Sequence, residues 1–203
     1  VIAELKKQEE IATAEQQKEL MTTLAADIQN DGYSYVAGNP EGDVTIVEFF
    51  DYRCGYCKRS FPDLMKTVEE DGNIRLVLKE FPILGPESIL AAQAAIAAME
   101  QDKYMELHTA LMNTRGGISI DRIRTLATDV GIDVEKLEAD MQKAEVREIV
   151  EKNYRLAKQL GIDGTPAFII NEEFVPGLIS GEEMKQIVAD VRDKAKAPAD
   201  SES

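Results

Sequence analysis

The apolar positions of this chain fall into two strand-like runs separated by one amphipathic helix. Val44-Thr45-Ile46-Val47-Glu48-Phe49-Phe50 is nearly continuously apolar and rich in β-branched residues, the mark of a strand buried on both faces. Gly55 to about Glu70 then follows a helical period, with Phe61, Leu64, Met65 and Val68 on one face and Pro62 placed to kink it. Asp71-Gly72-Asn73 closes the helix, and Ile74 to Phe81 is the next strand. Upstream, Tyr33–Ala37 is a candidate edge strand followed by a turn over Gly38–Asp43. Gly85 to about Leu160 carries no strand signal. It predicts one helix over Glu87–Asn113, a second from Ser119, a third capped by Asp133, and a fourth over Lys143–Leu160. Ala167–Ile170 and Glu173–Val175 predict a hairpin about Asn171-Glu172. A last helix opens at Ser180, with Met184, Ile187, Val188 and Val191 facing inward, and the closing residues read as a disordered tail.

The first thirty residues have no proline or glycine and are rich in Glu, Lys, Gln and Ala. They predict a long helix, ended by Asn30-Asp31-Gly32. Ile2, Leu5, Met21, Leu24 and Ile28 sit at heptad-like spacings, while Glu9, Ala12 and Gln16 interrupt the stripe. So thin a stripe points to a stalk that associates with copies of itself, as against a solvated arm.

Composition changes this picture in three ways. A hydrophobic fraction of 44% supports a globular body within 203 residues. Asp and Glu number 38 against 23 Lys and Arg, a formal charge of -15, which excludes a phosphate backbone as partner and with it nucleic acid. No window approaches the roughly 18 apolar residues of a membrane span. The chain begins with Val1 rather than Met, and a removed leader or tag is the expectation.

Cys54 and Cys57 are the only cysteines, set as Cys54-Gly55-Tyr56-Cys57 between the first buried strand and its helix. A pair at this spacing closes a small disulfide ring, and a helix N-terminus favours a thiolate on the first sulfur. As a structural crosslink the pair would stabilise little, because the loop is short. It is also two ligands short of a structural zinc site, since His108 is the only histidine. His108, Met99, Met105 and Met112 are read as surface and core residues of the helical block rather than copper ligands, so no metal site is expected. Glu48 is the one charge in its strand; if buried, its carboxyl would be pushed up towards the range of a proton shuttle.

Gly161-Ile162-Asp163-Gly164-Thr165-Pro166 precedes an apolar strand, and a proline there commonly marks no more than a strand's first residue. Taken with the Cys-x-x-Cys helix and the order of elements, the stretch from about Tyr35 to Lys194 resembles the DsbA-like type of the thioredoxin superfamily. The resemblance implies an α/β fold: a thioredoxin domain over 33–197 with a helical insertion at about 85–160, preceded by an N-terminal helical arm over 1–32 and followed by a tail over 198–203. It implies a cis Thr165-Pro166 bond beside the cysteines, and Gly55, Tyr56, Thr165 and Pro166 as the substrate-binding surface. Cys54 is then the attacking thiolate and Cys57 the resolving thiol. Glu48 matches the family's buried acid behind the cysteines, with Lys79 as its expected partner.

The redox-active Cys54-Cys57 disulfide is the only cofactor this implies. Partners would be cysteine-containing protein substrates and a membrane-bound redox partner that resets the dithiol, in the bacterial periplasm or another extracytoplasmic space. The Gly55-Tyr56 pair is similar to that of DsbC-type isomerases and lacks the histidine of strongly oxidising DsbA-type proteins. An N-terminal helix on a DsbA-like body is also found in trimeric suppressor-of-copper-sensitivity C proteins. A disulfide isomerase, oligomeric through residues 1–30, is therefore the leading expectation. A monomeric dithiol oxidase and a module holding Cu(I) between Cys54 and Cys57 are the alternatives.

Overall fold

The computed structural model describes residues 15, 16 and 18–196. Residues 18–23 are helical and lead, across a turn at Leu24, into α1 (Ala25–Gln29). Then follow β1 (Tyr35–Gly38), β2 (Val44–Phe50), α2 (Gly55–Asp71) and β3 (Ile74–Glu80). The helical insertion comprises α3 (Pro86–Ala98), a 3₁₀ turn over Met99–Gln101, α4 (Tyr104–Asn113), α5 (Ile120–Asp129), α6 (Val134–Met141) and α7 (Ala144–Gln159). The chain returns to the sheet with β4 (Ala167–Ile170) and β5 (Glu173–Pro176) and closes with α8 (Gly181–Lys196).

The five strands lie in the order β1-β3-β2-β4-β5, which makes the apolar β2 the central strand, buried at every position. β2 and β3 are parallel, so a crossover must join them, and α2 is that crossover. Gly72 ends α2 in the left-handed region (φ 69°), returning its N–H to the Val68 carbonyl. β4 runs antiparallel to β2 and hairpins into β5 through Asn171, also left-handed (φ 53°). The insertion corrects one expectation. Helix formation does not run through Glu87–Asn113: Asp102 adopts a left-handed conformation (φ 54°) and the Lys103 N–H turns back to the Ala98 carbonyl, dividing α3 from α4. Ser119 and Asp133 cap α5 and α6 by accepting from the Arg122 and Lys136 N–H groups.

The sheet has two covered faces. Ile46, Phe50, Leu76 and Leu78 pack with Phe61, Leu64 and Val68 of α2, with α8, and with the insertion. Val47, Phe49 and Val77 pack with Leu156 and Leu160, and with Met21 and Ile28, which are 2% and 1% exposed. Residues 18–29 therefore lie on the sheet as part of its core; half of the expected stalk, residues 1–14 and 17, lies outside the described residues, as does the expected tail.

Lys79 corrects a second expectation. The parallel register sets Leu78 beside Glu48 and Lys79 beside Phe49, so Lys79 and Glu48 face opposite sides of the sheet. The fully buried Lys79 ammonium instead donates to the Asp27 carbonyl (2.7 Å) and pairs with the Asp31 carboxylate. Asp31 also accepts from the Tyr33 and Ser34 N–H groups at 3.0 and 2.8 Å, and Arg75 donates to the Gln29 carbonyl at 2.6 Å. The end of α1 is thus fastened to β3 by two cations. Removing one partner of a buried pair leaves the other charge uncompensated, so Asp31→Ala should cost about 3–5 kcal/mol in urea unfolding at pH 7. The double change Asp31→Ala with Lys79→Met should recover most of that loss; a single variant as stable as the parent would contradict the account.

Candidate active site

The site begins with the turn that carries the chain from β2 into α2. Asp51, 1% exposed, turns its carboxylate inward, where it accepts from the N–H groups of Arg53 (2.7 Å), Ile83 (2.8 Å) and Leu84 (2.9 Å) and from the Ser88 hydroxyl (2.8 Å). The Cys54 N–H closes the turn on the Asp51 carbonyl at 3.0 Å. Beside it the buried Tyr52 hydroxyl donates to Glu80 Oε1 (2.9 Å) and meets His108 Nδ1 at 2.8 Å; Tyr104 donates to the same Glu80 oxygen at 2.6 Å. On the far side of the cysteines, Lys58 donates to the last carbonyls of the α4 region, Leu111 at 3.1 Å and Thr114. Sequence reasoning missed Asp51, Tyr52 and Glu80. An aspartate ending an apolar strand two residues before an N–H that must be held is an Asx-turn signal, and it was available for Asp51.

Cys54 is the N-cap of α2, and its sulfur accepts from the Cys57 N–H at 3.3 Å. It also donates to the Thr165 carbonyl at 3.3 Å, and the Thr165-Pro166 bond is cis. Hydrogen bonding from the Cys57 thiol, with further bonds from Thr165 and the N–H groups of Cys57 and Tyr56, outweighs burial and lowers the Cys54 thiol to about 6. Cys57 is fully buried, and burial, the hydrogen bond to Cys54 and the Glu48 carboxylate all push its thiol up. The two sulfurs are thus unequal: the surroundings of Cys54 favour its thiolate, and those of Cys57 favour its thiol.

Glu48 stands behind them, 0% exposed, with neither carboxylate oxygen hydrogen-bonded among the described residues. Burial first, then the charge on Cys54, raises its carboxyl to about 8. Tyr56 is 55% exposed and the Arg59 guanidinium stacks 4.5 Å over its ring. Gly55 has open space where a Cβ would stand, while Cys54 itself is buried, 6% exposed against 0% for Cys57. Pro166 is buried and its carbonyl accepts from the Gly177 N–H at 2.8 Å. Leu84 is held through its carbonyl by Arg53 at 2.5 Å. The structure therefore brings together Cys54, Cys57, Glu48, Gly55, Tyr56, Thr165 and Pro166, and sends Lys79 elsewhere. His108 lies buried in α4, its Nδ1 on Tyr52. Among the described residues no group of three or more His, Cys, Asp or Glu side chains is placed to hold a metal ion.

Two outcomes follow from these environments. Thiolate absorbance of the reduced protein should rise with a midpoint near pH 6, and Cys57→Ala, which removes the strongest donor to Cys54, should move that midpoint upward; a midpoint that stays put would contradict this assignment. Glu48 has its carboxyl raised from 4.5 to about 8, so its burial costs nothing below pH 4, costs progressively more up to pH 8, and costs a constant amount above. Glu48→Gln should therefore gain stability relative to the parent as pH rises across that window, by an amount on the order of 5 kcal/mol in urea unfolding. A pH-independent difference would count against the buried acid.

The comparisons agree with this geometry. A thioredoxin-like oxidoreductase of Silicibacter pomeroyi DSS-3 superposes with a TM-score of 0.81 at 42% identity, covering 83% of this chain and 97% of that one. The thiol-disulfide exchange protein alpha-DsbA2 of Wolbachia pipientis does so with a TM-score of 0.83 at 26% identity, covering 89% and 98%. A linker-deleted mutant of ScsC from Proteus mirabilis gives 0.84 at 25% identity, covering 95% and 90%. In sequence the chain also matches 139 residues of the Na(+)/H(+) antiporter NhaA 1 of Salinispora arenicola at 27% identity, and it spans only 21% of that protein's length. The family model for the DSBA-like thioredoxin domain matches residues 45–189, and the chain belongs to that family.

Proposed function

We propose that this chain catalyses thiol–disulfide exchange on cysteine-containing proteins, with Cys54 as nucleophile and Cys57 as resolving thiol. The observation that carries the reading is the opposed placement of the two sulfurs, Cys54 at the helix N-cap beside Thr165 and Cys57 fully buried against Glu48. The Cys54 thiolate attacks a substrate disulfide sulfur; a Cys54–substrate bond forms, the substrate bond breaks, and one substrate thiolate leaves. Cys57 then gives its proton to Glu48 and attacks Cys54, forming the Cys54–Cys57 disulfide and releasing the second substrate thiolate. Run in reverse, a substrate dithiol loses two electrons to the Cys54–Cys57 disulfide, and the Glu48 proton meets the departing Cys57 thiolate.

An unfolded segment fits the rim, where Tyr56, Leu84, Ile89 and Leu178 are exposed apolar side chains. Thr165, whose carbonyl lies 3.3 Å from the Cys54 sulfur, stands where a substrate strand would run past the nucleophile. The relation to a thiol-disulfide exchange protein of Wolbachia supports the reaction class. Among its directions we favour isomerisation: Tyr56 places no imidazole beside Cys57, so the dithiol form is less strongly stabilised than in a potent oxidant. Self-association through residues 1–30, an extracytoplasmic bacterial location and a membrane-bound partner that resets the dithiol belong to the same reading; a disulfide cycle of this kind persists in oxidising compartments.

The test uses scrambled ribonuclease, reduced ribonuclease and sedimentation. The dithiol form should restore activity to scrambled ribonuclease, Cys54→Ser should lower the rate at least a hundredfold, and Cys57→Ala should accumulate a mixed disulfide with the substrate. Removing residues 1–14, which leaves the packed 18–29 segment in place, should reduce isomerisation several-fold while sparing exchange with glutathione. Full oxidation of reduced ribonuclease by a monomer, with no repair of the scrambled form, would replace isomerase by oxidase. Retained exchange in Cys54→Ser would sink the reading altogether.

A further inference from the structure

A second buried acid lies on the same face of the sheet as Glu48 and has no part in the exchange chemistry described so far. The register pairs Glu48 with Leu78 and Phe50 with Glu80, so the two glutamates sit diagonally on neighbouring parallel strands, pointing to the same side. Strand spacing sets such positions about 8 Å apart. Glu48 is 0% and Glu80 3% exposed, and among the described residues neither forms an ion pair. Their surroundings differ. Glu48 faces Cys54 and Cys57 from α2 and has no hydrogen-bond donor. Glu80 receives two hydroxyls on one oxygen, from Tyr52 in the cysteine turn and Tyr104 of α4, and Asp51 adds a second negative charge from the end of β2. His108 meets Tyr52 from α4, and from α7 only the Asn153 amide approaches, on the Glu80 carbonyl.

We propose that Glu80 is a positioning residue for the proton step: it and Glu48 form one coupled pair of buried acids, in which a negative charge on Glu80 keeps the proton on Glu48. Two like charges this close in a dry interior are unfavourable together, so the pair gives up its protons in two separated steps. The tyrosine hydroxyls favour the first charge on Glu80, and Glu48 then retains its proton for the departing Cys57 thiolate. Burial is the chief cause that raises each carboxyl to about 8, and the Glu48 charge adds a small further rise at Glu80; the coupling in the other direction rests on the placement of the two residues on one face of the sheet. The buried Tyr52 joins this pair to the turn that presents Cys54.

The inference rests on the reading of Glu48 as the proton partner of Cys57, and the test separates the two. Glutathione is loaded on Cys54, and the rate of its release is followed against pH. In that step Cys57 loses its proton to Glu48, the Cys54–Cys57 bond forms, the Cys54–glutathione bond breaks and glutathione thiolate leaves. In the parent chain the rate rises through the ionisation of Glu48. In Glu80→Gln the midpoint should move to about tenfold higher proton concentration, and in Tyr104→Phe, where Glu80 loses a donor and holds its charge less well, it should move the same way by a smaller factor. In the parent chain itself, the carboxyl carbon signals of Glu48 and Glu80 should each titrate in two steps. Single independent titrations, or folded Glu80 and Tyr104 variants with an unmoved midpoint, overturn the role of Glu80. A Glu48→Gln chain that keeps the inflection overturns the assignment of the proton step to Glu48, and the role of Glu80 with it; loss of the inflection there leaves that assignment standing.

Discussion

The reactive end of this protein depends on the carboxylate of Asp51. A strand that is apolar at nearly every position must stop and turn into a helix within four residues, and the backbone N–H groups freed at that turn lie in the interior. One buried carboxylate satisfies the Arg53 N–H of that turn, two further N–H groups at Ile83 and Leu84 and a serine hydroxyl, and in doing so joins the cysteine turn to the chain after β3 and to the first turn of α3. Cys54 is an N-cap because this turn ends where it does. Without such a partner each buried donor would carry its full desolvation cost, which exceeds what an average hydrogen bond contributes. The position of the nucleophile is therefore set by satisfaction of polar backbone rather than by packing of the sulfur.

From that constraint the difference between the two cysteines follows. A residue at the N-cap meets N–H groups that have no other partner, whereas a residue three positions on lies one turn inside, with its side chain against the sheet. The same helix thus lowers the Cys54 thiol and buries that of Cys57 against Glu48. Glu48 needs no partner to hold its proton, because a carboxyl in an apolar strand is neutral where water would ionise it. A lysine beside it would have removed that property by stabilising the charge. The register that turns Lys79 to the opposite face leaves the acid without a cation and gives the lysine a different task, that of fastening α1.

How much of this was legible in the sequence depended on whether the signal was local. The buried run of β2, the caps at Ser119 and Asp133 and the turn at Asn171 involve neighbours in the chain, and each stands where the pattern placed it. The side chosen by Lys79 does not, since parity along β3 has meaning only once β3 is aligned with β2. Nor does the break at Asp102, where an alanine-rich run favours helix at every residue and only the fold requires a corner. Residues 18–29 looked too sparsely apolar for a core element. Met21 and Ile28 suffice because, on either side of the turn at Leu24, both are buried against a sheet face that Leu156 and Leu160 cover only in part. The cluster of Tyr52, Glu80, Tyr104 and His108 was invisible for the same reason: its members are polar, far apart in the chain, and come together only where the insertion packs on the sheet.

The surface around Cys54 has a consequence for how substrates are held. With a formal charge of -15 the molecule as a whole repels acidic chains, yet Tyr56, two residues from Cys54, exposes an aromatic ring backed by the Arg59 guanidinium. Contact with a substrate at this rim therefore gains from removing apolar area from water, and that gain is indifferent to salt, in contrast to the screened repulsion at longer range. Apolar side chains near a cysteine are exposed in unfolded or misfolded proteins and covered in native ones. The aromatic area that Tyr56 exposes is therefore complementary to chains whose own apolar side chains are uncovered.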